Sequence, residues 1–197
     1  GTLQGKIVLD AWGEDPASID RNGDGVIQYV MLEGEPGHQD ALMRTEYSVK
    51  ALMTAAVPVE KLANDNANWE RGQASLRMEQ WLREFGDAME VVFANNDDMA
   101  LGAIDACLDA GMEQEDLPFI VGVDATPPAL EAVAQGTLQG TVQNDAAGQA
   151  EQILAICCAV MDGKDPGTTL NLEDGKYAWL EYTTVTAENL AEFLPEE

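Results

Sequence analysis

The sequence predicts an α/β fold, a parallel, doubly wound sheet with helices on both faces. Three observations predict it. Short runs rich in β-branched and aromatic residues recur at 27–32, 89–94, 119–123 and 140–143. Each is followed by a helical stretch, at 39–56, 97–110, 127–135 and 146–162. Strands separated by helices of this length make βαβ units, which require a parallel sheet. Third, each strand ends on polar or aromatic residues, and such sheets bind ligands beyond the carboxyl ends of their strands.

Taken in order, residues 2–13 read as a short helix with Leu3, Ile7, Val8 and Trp12 on one side. A Gly-, Asp- and Pro-rich loop follows at 13–26. Strand 27–32 (IQYVML) ends in the turn GEPGHQD, which opens helix 39–56. Pro58 ends that helix, and a weak strand follows at 59–64. Helix 70–85 carries Ala74, Met78, Trp81, Leu82 and Phe85 on one apolar face. After helix 146–162 come a polar loop at 163–175, a strand at 176–182 and a closing helix at 187–193.

The chain has 197 residues and is 46% hydrophobic, enough to bury a core. Its 36 Asp and Glu against 10 Lys and Arg give a net charge of −26. A surface that acidic repels phosphate backbones and anionic membranes, so nucleic acid is excluded as a partner. The odd count of three cysteines, Cys107, Cys157 and Cys158, speaks against a disulfide framework. They read as small buried hydrophobes on helices. No apolar run reaches the 18 residues a membrane span needs.

The loop DRNGDGVIQ spaces oxygen ligands as a calcium loop does. Asp20, Asn22 and Asp24 fill its first, third and fifth positions, and Gly25 allows the sharp turn. Val26 offers a backbone carbonyl and Gln28 the ninth ligand. A hard cation wants six to eight such oxygens. Met31 stands where an EF-hand places its bidentate Glu, and a strand, not a helix, leaves the loop. The missing carboxylate must come from elsewhere in the fold.

At the strand ends stand His38 and Asp40, then Trp69, then Asn95, Asn96 and Asp97, then Asp124, then Asn144 and Asp145. Asp97 and Asp145 are expected as helix caps. The remainder suits a polyhydroxylated ring. Asp40 and Asp124 accept from hydroxyls, Arg44 donates as a fork, and His38, Asn96 and Asn144 do both. Trp69 offers a flat apolar face for the C–H side of a sugar. GVDAT after strand 119–123 is not a dinucleotide fingerprint, and no nucleophile elbow is present. His38 with Asp40, or two rim carboxylates, could be imagined as an acid–base pair, but the expectation is a binding protein and not an enzyme.

The stretches DRNGDGVIQYVMLEGEPGH, QDALMR, EVVFANNDDMALGAIDA, GVDATPPAL and GTVQNDAAGQA together resemble the galactose/glucose-binding proteins of bacterial sugar ABC transporters and chemotaxis, periplasmic binding proteins of type I. The resemblance covers nearly the whole chain. It implies a calcium ion held by Asp20, Asn22, Asp24, the Val26 carbonyl, Gln28 and Glu90. It implies sugar contacts at His38, Asp40, Arg44, Trp69, Asn96, Asp124 and Asn144, with D-galactose or D-glucose as ligand. Gln39 departs from the proline usual after the histidine. The chain then corresponds to the second of two lobes. Residues 1–143 and 176–197 are expected to form this lobe, and 144–175 the crossover that in the family belongs to the first. A transporter permease as partner and a periplasmic or cell-surface location follow from the same resemblance. Helix 146–162 carries a broad apolar stripe that either docks back on its own lobe or pairs two chains; pairing is the favoured expectation. A rival expectation is a one-lobe calcium-binding interaction or sensor module that no longer captures sugar. A weaker one, the effector domain of a sugar-responsive repressor, is disfavoured by the acidic charge.

Overall fold

The computed structural model describes residues 1–194. The chain divides into two compact units, residues 1–143 with the chain from 184 onward, and residues 144–183.

In the first unit β1 (Ile27–Glu33) lies between β2 (Val59–Asn66) and β3 (Val91–Ala94), and β4 (Phe119–Val121) pairs with β3. All these pairings are parallel. β5 (Thr141–Gln143) continues the sheet through parallel bridges from Val121 to Gly140 and from Asp124 to Gln143. It also pairs with β6 (Thr183–Val185).

Successive strand residues face opposite sides of a sheet. Tyr29, Met31, Val91 and Phe93 therefore enter one apolar layer, with Ile7 and Val8 of α1 (Thr2–Glu14) and Leu52 of α2 (Gln39–Thr54). Val30, Leu32, Val92 and Ala94 enter the other. That layer is covered by α3 (Arg71–Phe85), α4 (Asp97–Asp109) and α5 (Pro127–Gln135). Strands buried on both faces read as continuous apolar runs, which is why β1 and β3 were legible. Within α3 the buried residues are Ala74, Met78 and Trp81, three of the five expected. α5 opens on Pro127 and closes on Gly136 in the left-handed conformation, φ 77°.

The second unit holds α6 (Ala146–Met161) and the short α7 (Pro166–Thr169). Asp145 caps α6 by accepting from Gly148 N at 2.9 Å. The apolar stripe of α6 is uncovered: Ile153, Leu154 and Val160 are 60–65% exposed and Met161 86%.

Several expectations need correction. Residues 176–182 form no strand. Apart from one bridge between Glu173 and Tyr177 the segment is irregular, and Tyr177, Trp179 and Tyr182 are exposed. Tyr177 and Trp179 stack on each other, centroids 5.7 Å apart, and the strand comes one step later, at β6. The closing helix is only a 3₁₀ turn at Leu190–Glu192. Of the cysteines Cys107 is buried, with its thiol pushed up to about 12 by that burial, whereas Cys157 and Cys158 are exposed on α6. Among the described residues no helix is long and apolar enough to cross a membrane.

α3 and α4 pack so closely that a Cβ on Gly102 would strike the Arg71 carbonyl oxygen, with Ala74 Cβ 3.1 Å away. Gly102→Ala must push the two helices apart and should destabilise by about 1–3 kcal/mol. Gly13→Ala, where nothing lies within 4 Å, should cost nothing. Thermal melting of the two variants beside the parent checks this; equal melting of both would contradict the packing.

Candidate functional site

The carboxyl ends of the first unit's strands gather six of the seven expected ligand residues. His38 caps α2, its Nδ1 accepting from Asp40 N at 3.2 Å. Its ring meets Trp69 edge to face, centroids 5.2 Å apart. Trp69 leaves β2 in a left-handed conformation, φ 68°, after Asn68 at φ 51°. For a bulky residue that is an outlier costing about 1–3 kcal/mol, a strain that recurs at binding sites. The ring lies against Gly34, where a Cβ would overlap the indole. Asn96 donates from Nδ2 to Trp69 O at 3.2 Å and caps α4 by accepting from Met99 N at 3.1 Å. Asp97, expected as that cap, is the helix's first residue and turns elsewhere.

Arg44 ties the set together. It is 8% exposed. Its Nη1 donates to Asn95 O at 2.7 Å and reaches Asp124 Oδ1 at 3.4 Å. Nη2 lies 3.9 Å from Asp40 Oδ2, and the guanidinium carbon 5.8 Å from the Trp69 ring centroid. A planar fork can satisfy a carbonyl and two carboxylates at once while stacking on an aromatic. His38 and Asp40 are exposed, and Trp69, Asn96 and Asp124 are half-buried, so each has surface to offer. Asn144 follows Gln143 in the chain but belongs to the second unit, where its Oδ1 accepts from Gln149 Nε2 at 2.7 Å.

Three polar residues beneath this rim have structural jobs. Asn95 is fully buried. Its Oδ1 accepts from Gly34 N at 3.1 Å and Thr45 Oγ1 at 3.2 Å, so it fastens the ends of β1 and β3. Asp97 is fully buried and bonds Thr126 and Thr141. Gln4 of α1, also fully buried, donates from Nε2 to Ala94 O at 2.7 Å and Val121 O at 3.0 Å. Sequence reasoning missed Gln4. The signal was there: a lone amide three and four residues before Ile7 and Val8, on the apolar face of the helix.

The loop before β1 is closed by Glu90. That side chain is 1% exposed and accepts from Arg21 N at 2.8 Å, Asn22 N at 3.4 Å and Gln28 N at 3.1 Å. Asp20 accepts from Gly23, Asp24 and Gly25 N. Asn22 Oδ1 accepts from Asp24 N, and Asp24 Oδ1 from Val26 N. Gln28 bridges Asp24 and Asn22. Gly23 and Gly25 take φ 74° and 78°. The side chains of Asp20, Asn22, Asp24, Gln28 and Glu90 thus meet at one loop, and each carries oxygen. Among the described residues no three His, Cys, Asp or Glu side chains are already gathered as a metal would hold them.

A periplasmic binding protein domain model matches residues 1–165. A D-galactose/methyl-galactoside binding periplasmic protein of Haemophilus influenzae is 38% identical over 98% of this chain and 58% of its own length. A xylitol-binding protein of Mycolicibacterium smegmatis is 34% identical over 85% of this chain and 47% of its own. Among solved structures, an ABC transporter solute binding protein from Bacillus halodurans with bound myo-inositol superposes with a TM-score of 0.73 at 34% identity, over 91% of this chain and 57% of that one. The chain spans about half the length of the relatives it matches. It belongs to the periplasmic binding protein domain family, whose fold its parallel sheet shares.

Proposed function

We propose that the chain is a sugar-binding lobe of a solute-binding protein that delivers its ligand to an ABC transporter permease, in the periplasm or at the cell surface. It binds and does not catalyse. The observation that carries this reading is Trp69, held in a strained backbone with its indole against His38 and Arg44, beside the Arg44–Asp124 pair. An apolar plane edged by charged and amide groups fits a ring with one C–H face and a girdle of hydroxyls. The bound groups named for the relatives, galactosides, xylitol and myo-inositol, are all polyols. D-galactose or D-glucose is the ligand we favour, with His38, Asp40, Arg44, Asn96 and Asp124 as polar contacts.

One lobe covers only part of a small ligand, whereas a closed cleft buries most of it. Hydrogen bonds left facing water contribute about 0.5–1.5 kcal/mol each at best. Calorimetry on this chain should therefore find weak binding, on the order of millimolar. Trp69→Ala should weaken it about tenfold through lost stacking. Submicromolar binding, or none of several polyols binding at any concentration, would overturn the reading. The second outcome would favour a calcium-dependent interaction or sensor module instead.

We also propose that the loop holds one calcium ion through Asp20, Asn22, Asp24, the Val26 carbonyl, Gln28 and Glu90. The support is the all-oxygen donor set and the buried Glu90 carboxylate, which meets the loop where the sequence motif lacks an acid. The ion would replace backbone N–H groups as the partner of these carboxylates and tie the loop to the start of β3. A ligand of the folded state raises the melting temperature by mass action. Calcium should raise it, chelator should lower it, and Glu90→Gln should remove most of the difference. A wild type indifferent to chelator would contradict the site.

The uncovered stripe of α6 supports pairing of two chains through Ile153, Leu154, Val160 and Met161. Light scattering at micromolar concentration should give a dimer that Ile153→Asp dissociates. A strict monomer would rule pairing out.

A further inference from the structure

Asp97 opens α4 without capping it. Its carboxylate turns instead beneath the turn that follows β4. Oδ1 accepts from Thr141 Oγ1 at 2.6 Å. Oδ2 accepts from Thr126 N at 2.7 Å and from Thr126 Oγ1 at 3.2 Å. Thr141 Oγ1 in turn accepts from Ala125 N at 3.2 Å, and Asp97 N donates to Val123 O at 2.8 Å. A Cβ on Gly122 would overlap Asp97 Oδ1, so glycine makes the room this carboxylate fills. The turn above is not a relaxed one: Asp124 has φ 121° and Ala125 φ 54°. Such backbone persists only where the surroundings over-determine it. Here the surroundings are one buried carboxylate and the donors it collects from both sides of the turn.

We propose that Asp97 is the positioning residue of the rim: it holds the turn at 124–126 in the conformation that aims Asp124 at Arg44, and its proton state couples that turn to pH.

The charged group facing Asp97 from the turn is Asp124. Arg44, from α2, spends its fork on Asp124 and Asn95 O. β5 faces Asp97 with the Thr141 hydroxyl, and on α4 the neighbouring Asp98 is exposed. Burial is the largest influence and pushes Asp97 from the ordinary 3.8 up to about 6. The bonds from Thr141 and Thr126 oppose the rise, and Asp124 adds to it. For an acid raised in this way, its contribution to folding stability is complete below its unfolded value. That contribution is lost as the pH climbs through about 6. The local effect runs the other way. The ionised carboxylate receives charge-assisted bonds and grips Thr126 harder than the neutral acid does. A neutral side chain in its place gives neither pH trend.

The test is amide hydrogen exchange by NMR on the whole chain between pH 5 and 8, corrected for intrinsic exchange, with thermal melting in parallel. In the wild type, protection of the Thr126 amide relative to Val92 in β3 should fall severalfold as the pH drops from 7.5 to 5. Asp97→Asn, neutral throughout, should abolish that dependence. Its melting temperature should also gain on the wild type as the pH rises from 5 to 8. Thr141→Val, which removes one bond to the carboxylate and the acceptor of the Ala125 amide, should move the wild-type midpoint to higher pH, and it remains informative if Asp97→Asn does not fold. A Thr126 protection independent of pH in the wild type, the same slope in Asp97→Asn, or an unmoved midpoint in Thr141→Val would overturn the proposal. The use of Asp124 toward a sugar rests on the binding reading above. These measurements contain no sugar, so failure of one is distinguishable from failure of the other.

Discussion

A parallel sheet ends in backbone carbonyls and amides that no neighbouring strand can pair, and buried groups of that kind must find partners. The rim depends on how they are taken up. Gln4 takes the carbonyls of Ala94 and Val121. Arg44 takes that of Asn95, the Asp97 amide takes that of Val123, and the Asn95 side chain takes the Gly34 amide. Gln4, Asn95 and Asp97 are fully buried. Above them sit the groups with surface to spend, His38, Asp40, Trp69, Asn96 and Asp124. The lower layer fixes where strands end and turns begin, and the upper layer inherits its geometry from it.

Arg44 joins the two layers. In a chain of net charge −26 its guanidinium is nearly buried, bonded below to a backbone carbonyl and facing Asp40, Asp124 and the Trp69 ring above. Isolated, such a charge would be expensive to bury; hydrogen bonding and paired carboxylates make it tolerable. The same contacts orient the two acids. A lysine would carry the charge but could not share one rigid fork among these partners.

The sheet, its direction and the helices on both faces were legible because β1 and β3 are apolar runs bounded by turn residues and helical stretches separate the strands. The rim was legible because polar residues recur after each strand. What escaped was set by tertiary contact. The exposed alternation of Tyr177, Trp179 and Tyr182 mimics a strand, since periodicity reports a pattern and not whether anything covers it. Asp97 looked like a cap because a cap and a buried acceptor share one residue type and differ only in which way the chain brings its partners. Asn95 stands beside Asn96 in the same polar cluster, and only burial separates the fastener from the rim group. The strain at Trp69 leaves no mark on the sequence, which carries no glycine there.

The central claim is that the carboxyl-end rim is where a polyol binds. Amide and indole NMR spectra recorded during titration with D-galactose, D-glucose and myo-inositol to millimolar concentrations test it most directly. The account predicts saturable shifts that concentrate at the Trp69 indole and the amides of Asn96, Asp124 and the turn before α2, with the amide shifts needing about tenfold more sugar in Trp69→Ala. Unchanged spectra with every sugar, or shifts that lie elsewhere and persist in Trp69→Ala, would contradict it.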